Sequence, residues 1–189
     1  MAGTNSARAT GVALTKRILL TIAEAGGAVV ENFIDPYGKL RVANMFIDEG
    51  KIQRYRLRRK LLAMEAQGLV SVKEKRGEIK ISLEPEGHIR ALRYAADDLV
   101  IKKPDWWDRK WRIVLFDVPE ELRSSRNMFK LKLDEFGFIQ LQHSVYVHPY
   151  ECHNEIELTR TAYGLKEYVK ILLVDKIEGE AALRKRFNI

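Results

Sequence analysis

Trp111-Arg112-Ile113-Val114-Leu115-Phe116-Asp117-Val118-Pro119 is the stretch on which the fold turns. Its apolar, β-branched and aromatic residues stop at an Asp and a Pro, which neither pair well nor continue a ladder, so Trp111 to Phe116 reads as a buried central strand. Downstream, Glu120 to Phe136 carries Leu122, Met128 or Phe129, Leu133 and Phe136 at helical spacing, and Gly137 closes it. From Phe138 to Val147, residues Ile139, Leu141, His143, Val145 and Val147 share one face of a strand or of a bulged pair of strands, which Pro149 ends. Asn154 to Tyr163 can form a helix, and Tyr168 to Asp175 is the last strand. The order β-α-β-(β)-α-β is the ferredoxin-like split arrangement.

Upstream of Trp111 the rhythm differs. Residues 1–10 are small and polar and expected to fray. Val12, Leu14, Ile18, Leu19, Ile22 and Ala23 then recur at helical spacing up to Gly26-Gly27. Asp35-Pro36 and Gly38 favour a turn, a second helix is expected from Leu40 through Ile47, and Asp48-Glu49-Gly50 breaks it. From Lys51 to Gln67 there is neither Gly nor Pro, and Leu57, Leu61 and Met64 form one apolar stripe on a third helix that Gly68 ends. Leu69 to Lys73 and Glu78 to Leu83 alternate apolar with polar around Glu74-Lys75-Arg76-Gly77, a β-hairpin with a basic tip. Pro85 suits the first turn of a helix over 86–99, and Lys102-Lys103-Pro104-Asp105 reads as a linker. The expected class is therefore α+β. A winged helix-turn-helix spans 1–100, a linker 101–110, and a ferredoxin-like βαββαβ domain 111–189.

Composition narrows the function. In 189 residues, 33 Lys plus Arg outnumber 26 Asp plus Glu, for a net charge of +7, and 46% of residues are hydrophobic. That is enough apolar material for a core and too little imbalance for a disordered polyelectrolyte. No apolar run reaches the roughly 18–20 residues a membrane span needs, and no signal peptide opens the chain, so a soluble, cytoplasmic protein is expected without a membrane partner. A single cysteine, Cys152, excludes an intramolecular disulfide and a four-cysteine zinc site.

The densest charge run is Lys51-Ile-Gln-Arg-Tyr-Arg-Leu-Arg-Arg-Lys60, with no acidic residue in it. With Leu57, Leu61 and Met64 inward, Arg54 and Arg58 fall on another flank, and Gln53 and Arg54 stand at the helix start. In a winged helix this third helix faces the DNA major groove. Arg can pair with guanine and Gln with adenine, so Gln53, Arg54 and Arg58 are the candidates for bases. Lys51, Arg56 and Arg59 are the candidates for phosphates, joined by Lys73, Lys75 and Arg76 of the wing. A solvated face explains one basic helix, but not the basic hairpin tip that follows it.

Three further clusters have plainer readings. Trp106, Trp107 and Trp111 could stack on nucleobases, but are expected to pack the two domains together. His148, Glu151, Cys152 and His153 lack a recognised zinc spacing. Asp117, at the carboxyl end of its strand, caps a turn or holds Mg²⁺ if a second carboxylate comes from a symmetry mate. Glu120 and Glu121 open the next helix, where their charge favours the dipole.

Arg112-Ile-Val-Leu-Phe-Asp-Val-Pro-Glu120, Arg123, Arg126, Gly137-Phe138 and Gln142-His-Ser-Val-Tyr146 resemble the CRISPR-associated ferredoxin-like endonuclease that partners the spacer integrase. They are still more similar to the related middle domain of PaaX-type transcriptional repressors, over about Trp111 to Asp175. Arg58-Arg-Lys-Leu61 and Gly68-Leu-Val70 upstream fit the PaaX-type order of domains. In the nucleases, the resemblance implies, the aspartate matched by Asp117 pairs across a dimer around a divalent metal, and Ser144 and Tyr146 fall in a Ser-Val-aromatic signature. In the repressors the module is a dimerisation element without cleavage. Phe116 stands where the nucleases usually have Tyr, and Pro119 follows as in the repressors. PaaX-type repressors also carry a C-terminal domain associated with acyl-CoA response; the sequence stops at Ile189, so that ligand is not expected.

The expected function is sequence-specific binding of double-stranded DNA by a homodimeric transcriptional regulator, with no cofactor and no catalytic residue. The alternative is a Mg²⁺-dependent nuclease using Asp117, or a scaffold for a CRISPR integrase.

Overall fold

The computed structural model describes residues 3–24, 34–35, 39–40, 54–75 and 78–189, with side chains for 12–24, 57–73 and 81–189. Two compact units divide between Tyr94 and Ala95, rather than after residue 100. Leu99 and Ile101 pack against the core of the second unit, which is why the division precedes them.

The first unit holds α1 (Gly3–Glu24), the two-residue strands β1 (Ile34–Asp35) and β2 (Lys39–Leu40), α2 (Arg54–Ala66), β3 (Val70–Lys75) and β4 (Glu78–Leu83). Helix α3 (Pro85–Asp97) follows, across the division. The apolar stripes meet as their spacing requires. Ile18, Leu19 and Ile22 of α1 and Leu57, Leu61 and Met64 of α2 are buried with Leu69, Val70, Ile81, Leu83 and Ala91. Helix α1 begins at Gly3, so the expected frayed start is corrected. Nothing in that stretch has apolar periodicity, but a helix anchored by packing further along extends by adding one hydrogen bond per residue. Leu40 lies opposite Ile34 in an antiparallel ladder rather than opening a helix, since cross-strand pairing gives its backbone groups partners that a helix start leaves open. The remainder of the helix expected over 40–47 lies outside the described residues.

Strands β3 and β4 pair from Val70↔Leu83 to Lys75↔Glu78. Glu74 and Lys75, placed at the tip by sequence, are therefore paired strand residues, since ladder pairing continues while backbone groups have partners. Pro85 occupies the first helical position of α3, where its missing N–H is no loss.

The second unit is built on β5 (Trp111–Phe116), β6 (Ile139–Gln142), β7 (Val145–His148) and β8 (Val169–Val174), in the antiparallel order β6-β7-β5-β8. Helix α4 (Arg123–Glu135), entered through a 3₁₀ turn at Glu120–Leu122, joins β5 to β6, and α5 (His153–Ala162) joins β7 to β8. This is the ferredoxin-like βαββαβ order, with β5 central as its composition predicts. Phe129 and Leu133 of α4 and Ile156 of α5 bury one sheet face with Val114, Phe116, Tyr146 and Val169.

An additional helix, α6 (Glu180–Phe187), covers part of the other face, where Leu183 is buried with Trp111 and Val147, and Phe187 packs against them. Sequence reading stopped at Asp175, because 180–187 is a short, strongly charged segment with few apolar positions. The two covered faces also correct the expected alternation: Tyr146, Val147 and His148 are buried in succession, whereas Leu141 and His143 are exposed. A register shift between Gln140 and Gln142 accompanies the break.

Trp107 and Trp111 pack edge to face within the second unit, with ring centroids 4.9 Å apart, and Trp111 meets Phe187 at 5.9 Å. The expectation that the tryptophans join the domains is thereby corrected. The C-terminal helix, unseen in the sequence, supplies the apolar partner they need, and Trp106 is left exposed.

Candidate nucleic-acid interface

Helix α2 has two characters. Leu57, Leu61 and Met64 are buried, while Arg58 and Arg59 are exposed and Lys60 is half-buried. Basic side chains next to an inward apolar stripe keep their charge in water because each must stay hydrated unless paired. The helix stops at Gly68, whose φ of +67° closes a Schellman motif: Gly68 N–H donates to Glu65 O and Leu69 N–H to Met64 O, both at 2.9 Å. The chain then enters β3 directly. Glu65 adds a second tie, its Oε1 accepting the Val72 N–H at 2.9 Å, so helix and hairpin are held together by side chain as well as by turn.

On the hairpin, Val70 and Val72 take the core side, and Ser71 and Lys73 take the other side by strand alternation. Lys73 is exposed. Its register partner is Lys80, a residue absent from the sequence candidates. Two lysines at directly opposed positions are unfavourable for a sheet by themselves and favourable for meeting a polyanion. The signal was present: Glu78, Lys80 and Ser82 are the polar positions of an alternating strand, and pairing them with β3 needs only the register. At the next polar pair in the register Lys75 lies opposite Glu78.

Of the other candidates, Arg54 and Arg56 lie on the backbone of α2 and Lys75 on that of β3, but their side chains are outside the description; Lys51, Gln53 and Arg76 are outside the described residues altogether. Glu65, Glu84 and Glu86 line a shallow acidic depression beside Gly68 and Val70.

In the second unit, Asp117 is exposed at the carboxyl end of β5, and its backbone N–H donates to Tyr168 O at 3.1 Å. Its carboxylate caps nothing: the residue before the 3₁₀ turn is Pro119, and no side chain caps that turn. Glu120 is committed to Arg126 at 2.8 Å and Arg123 at 3.4 Å, with Arg126 the main cause of its lowered pKa. Among the described residues no group of three potential ligands could hold a metal. The residues of one chain do not fit Mg²⁺ at Asp117.

His148, Glu151 and Cys152 have structural roles. Burial lowers the His148 pKa to about 4, against a smaller opposing hydrogen bond with Tyr150 O. Burial also raises the Cys152 thiol to about 12, reinforced by the Glu151 charge. Glu151 accepts from Arg112 Nη2 at 2.9 Å, and Asp108 receives the Arg112 fork at 2.8 and 2.6 Å. Hydrogen bonding to Arg112 is the chief reason both carboxyls lie below their ordinary range.

Residues 104–185 match the family model described as the PaaX protein central Cas2-like domain. That interval begins in the loop before β5 and ends within α6, so it covers the whole ferredoxin-like sheet. It supports a PaaX-type protein. No curated protein matches the chain. Among the described residues no helix is long and apolar enough to cross a membrane.

Proposed function

We propose that this PaaX-type protein is a transcriptional regulator that binds double-stranded DNA as a homodimer, with the first unit acting as a winged helix. The observation that carries this reading is the locked pair of α2 and the β3–β4 hairpin, with Arg58 and Arg59 exposed on one and Lys73, opposite Lys80, on the other. A helix that bases can approach and a hairpin that phosphates can approach are the two parts such a module needs. Gln53, Arg54 and Arg58 take the base edges, and Lys51, Arg56, Arg59, Lys73, Lys75 and Arg76 the phosphates. The ferredoxin-like unit supplies the dimer, and two-fold symmetry then calls for paired half-sites.

Selection from a random duplex pool, followed by binding isotherms at several salt concentrations, tests this. A single enriched sequence and a steep salt dependence are expected. Replacing both Arg58 and Arg59 with Ala should lower the log–log salt slope by up to about two. Affinity indifferent to salt, or no enriched sequence, would overturn the reading.

The exposed, unbonded carboxylate of Asp117 keeps a second reading in view, a nuclease whose metal is completed by the same residue of a second copy. Running the selected duplex with and without Mg²⁺ decides it. Cleavage that disappears in Asp117→Ala with binding intact would establish that reading, and no cleavage by the parent protein would remove it.

A further inference from the structure

Segment 102–110 is the part of the chain that neither reading uses. Its backbone is tied down at several points. Trp107 Nε1 donates to Lys110 O at 3.0 Å and to Pro149 O at 2.9 Å, Lys110 N–H donates to Asp108 Oδ1 at 3.0 Å, and Asp108 is held by Arg112. Arg109 is carried at φ +61°, a left-handed conformation that a non-glycine residue keeps only when its surroundings impose it. This fastened loop presents Trp106 with 72% of its surface exposed, while Trp107 is half-buried against the buried Trp111.

The charge around that indole is one-sided. Lys102, Lys103, Arg109 and Lys110 are exposed, and none forms an ion pair among the described residues. Of the two acids in the segment, Asp108 shares the Arg112 guanidinium with Glu151, so four exposed cations face Asp105 and one further carboxylate charge, a positive excess of two. Lys103 Nζ also lies 6.0 Å from the Tyr150 ring, which fixes one of these cations near the loop.

We propose that the Trp106 loop is a binding site for single-stranded nucleic acid, in which an unpaired base stacks on Trp106 and the flanking cations hold the phosphates. A duplex keeps its base faces covered by their neighbours, so an exposed indole finds its partner in an unstacked base; the cations select a polyanion over an apolar protein surface. A protein so equipped would hold an opened strand separately from its duplex contact. The inference does not rest on the winged-helix reading, since the second unit alone carries it.

The test uses the full chain and an oligothymidylate of about 20 nucleotides, longer than the roughly 4–16 that one single-strand domain covers. Of the chain's three tryptophans Trp106 is exposed, Trp107 half-buried and Trp111 buried, so the part of the indole quenching that Trp106→Phe removes reports that residue. Quenching is expected, with Trp106→Ala weakening binding about tenfold and Trp106→Phe retaining most of it. In the Arg58→Ala/Arg59→Ala background the quenching should persist and Trp106→Ala should still weaken oligonucleotide binding, whatever happens to duplex binding. Three results would overturn the proposal: Trp106→Ala binding as tightly as the parent, binding without quenching, or displacement of the oligonucleotide by polyglutamate at matched charge, which would mark a docking surface for acidic protein.

Discussion

The Glu65 carboxylate accepts the backbone N–H of Val72 at 2.9 Å, across the turn that separates α2 from β3. It satisfies an edge-strand donor that the two-stranded ladder leaves open and fixes the angle between the basic helix and the hairpin. Glu65→Ala should cost about 0.5–1.5 kcal/mol in urea unfolding, in keeping with a single hydrogen bond at an exposed site. Its effect on duplex affinity separates geometry from charge. Loss of an acidic residue alone would tighten binding to DNA, whereas a loosened helix and hairpin should weaken it severalfold, and Glu65→Gln, which keeps an acceptor oxygen, should restore it.

Two glycines in the first unit are required for different reasons. A Cβ on Gly87 would lie 1.9 Å from Leu69 O and 2.9 Å from its carbonyl carbon, both backbone atoms that cannot move aside. Gly68 has open space around it but a φ of +67°. Gly87→Ala should therefore destabilise by about 3 kcal/mol or more, at or beyond the upper end of ordinary overpacking, and Gly68→Ala by about 1–2 kcal/mol, the expense of a left-handed residue. Urea midpoints for the pair check the order; equal effects would contradict the close approach of α3 to Leu69.

What the sequence revealed was what periodicity encodes. Leu57, Leu61 and Met64 announced α2, and the β-branched run from Trp111 announced the central strand, because burial of one face imposes a spacing on the chain. Features set by tertiary packing were hidden. Helix α6 has too few apolar positions to signal itself, yet Leu183 and Phe187 decide where Trp107 and Trp111 go. Within the candidate interface, the cations of α2 were legible as a charge run, but Lys80 became visible only once the register set it opposite Lys73. Gly87 carries no sign of the carbonyl it must admit.

Arg112 predicts how the second unit responds to acid. Its guanidinium is buried, with five hydrogen bonds to Asp108, Glu151, Lys110 O and Pro149 O. The Arg112→Met protein should lose roughly 2–3 kcal/mol, less than the ~3–5 for a fully buried pair, because Asp108 and Glu151 reach water. Both carboxyls have pKa values held below those of the unfolded chain. Their contribution is complete above the ordinary carboxylate range and is lost as pH falls through their lowered values. Urea midpoints measured from neutral pH to below pH ~4 should fall more steeply in the parent than in Arg112→Met; parallel curves would deny the coupling.

His148 governs a higher range of pH. Its ring lies 4.8 Å from Phe138, 5.4 Å from Tyr150 and 5.8 Å from Phe187, and the Arg112 charge adds to the burial that brings its pKa from 6.5 to about 4. Above pH 6.5 the ring is neutral in both folded and unfolded chains, and the unit has its full stability with respect to this group. Between 6.5 and about 4 the unfolded chain takes up the proton and the folded one resists it, so stability falls with pH across that window and levels off below it. The shift corresponds to up to about 3 kcal/mol. Urea unfolding of His148→Gln, which has no titrating ring, should show a flatter dependence between pH 7.5 and 4.5, and proton NMR of the parent ring should show no titration near its ordinary pKa; a ring titrating near 6.5 would refute the assignment.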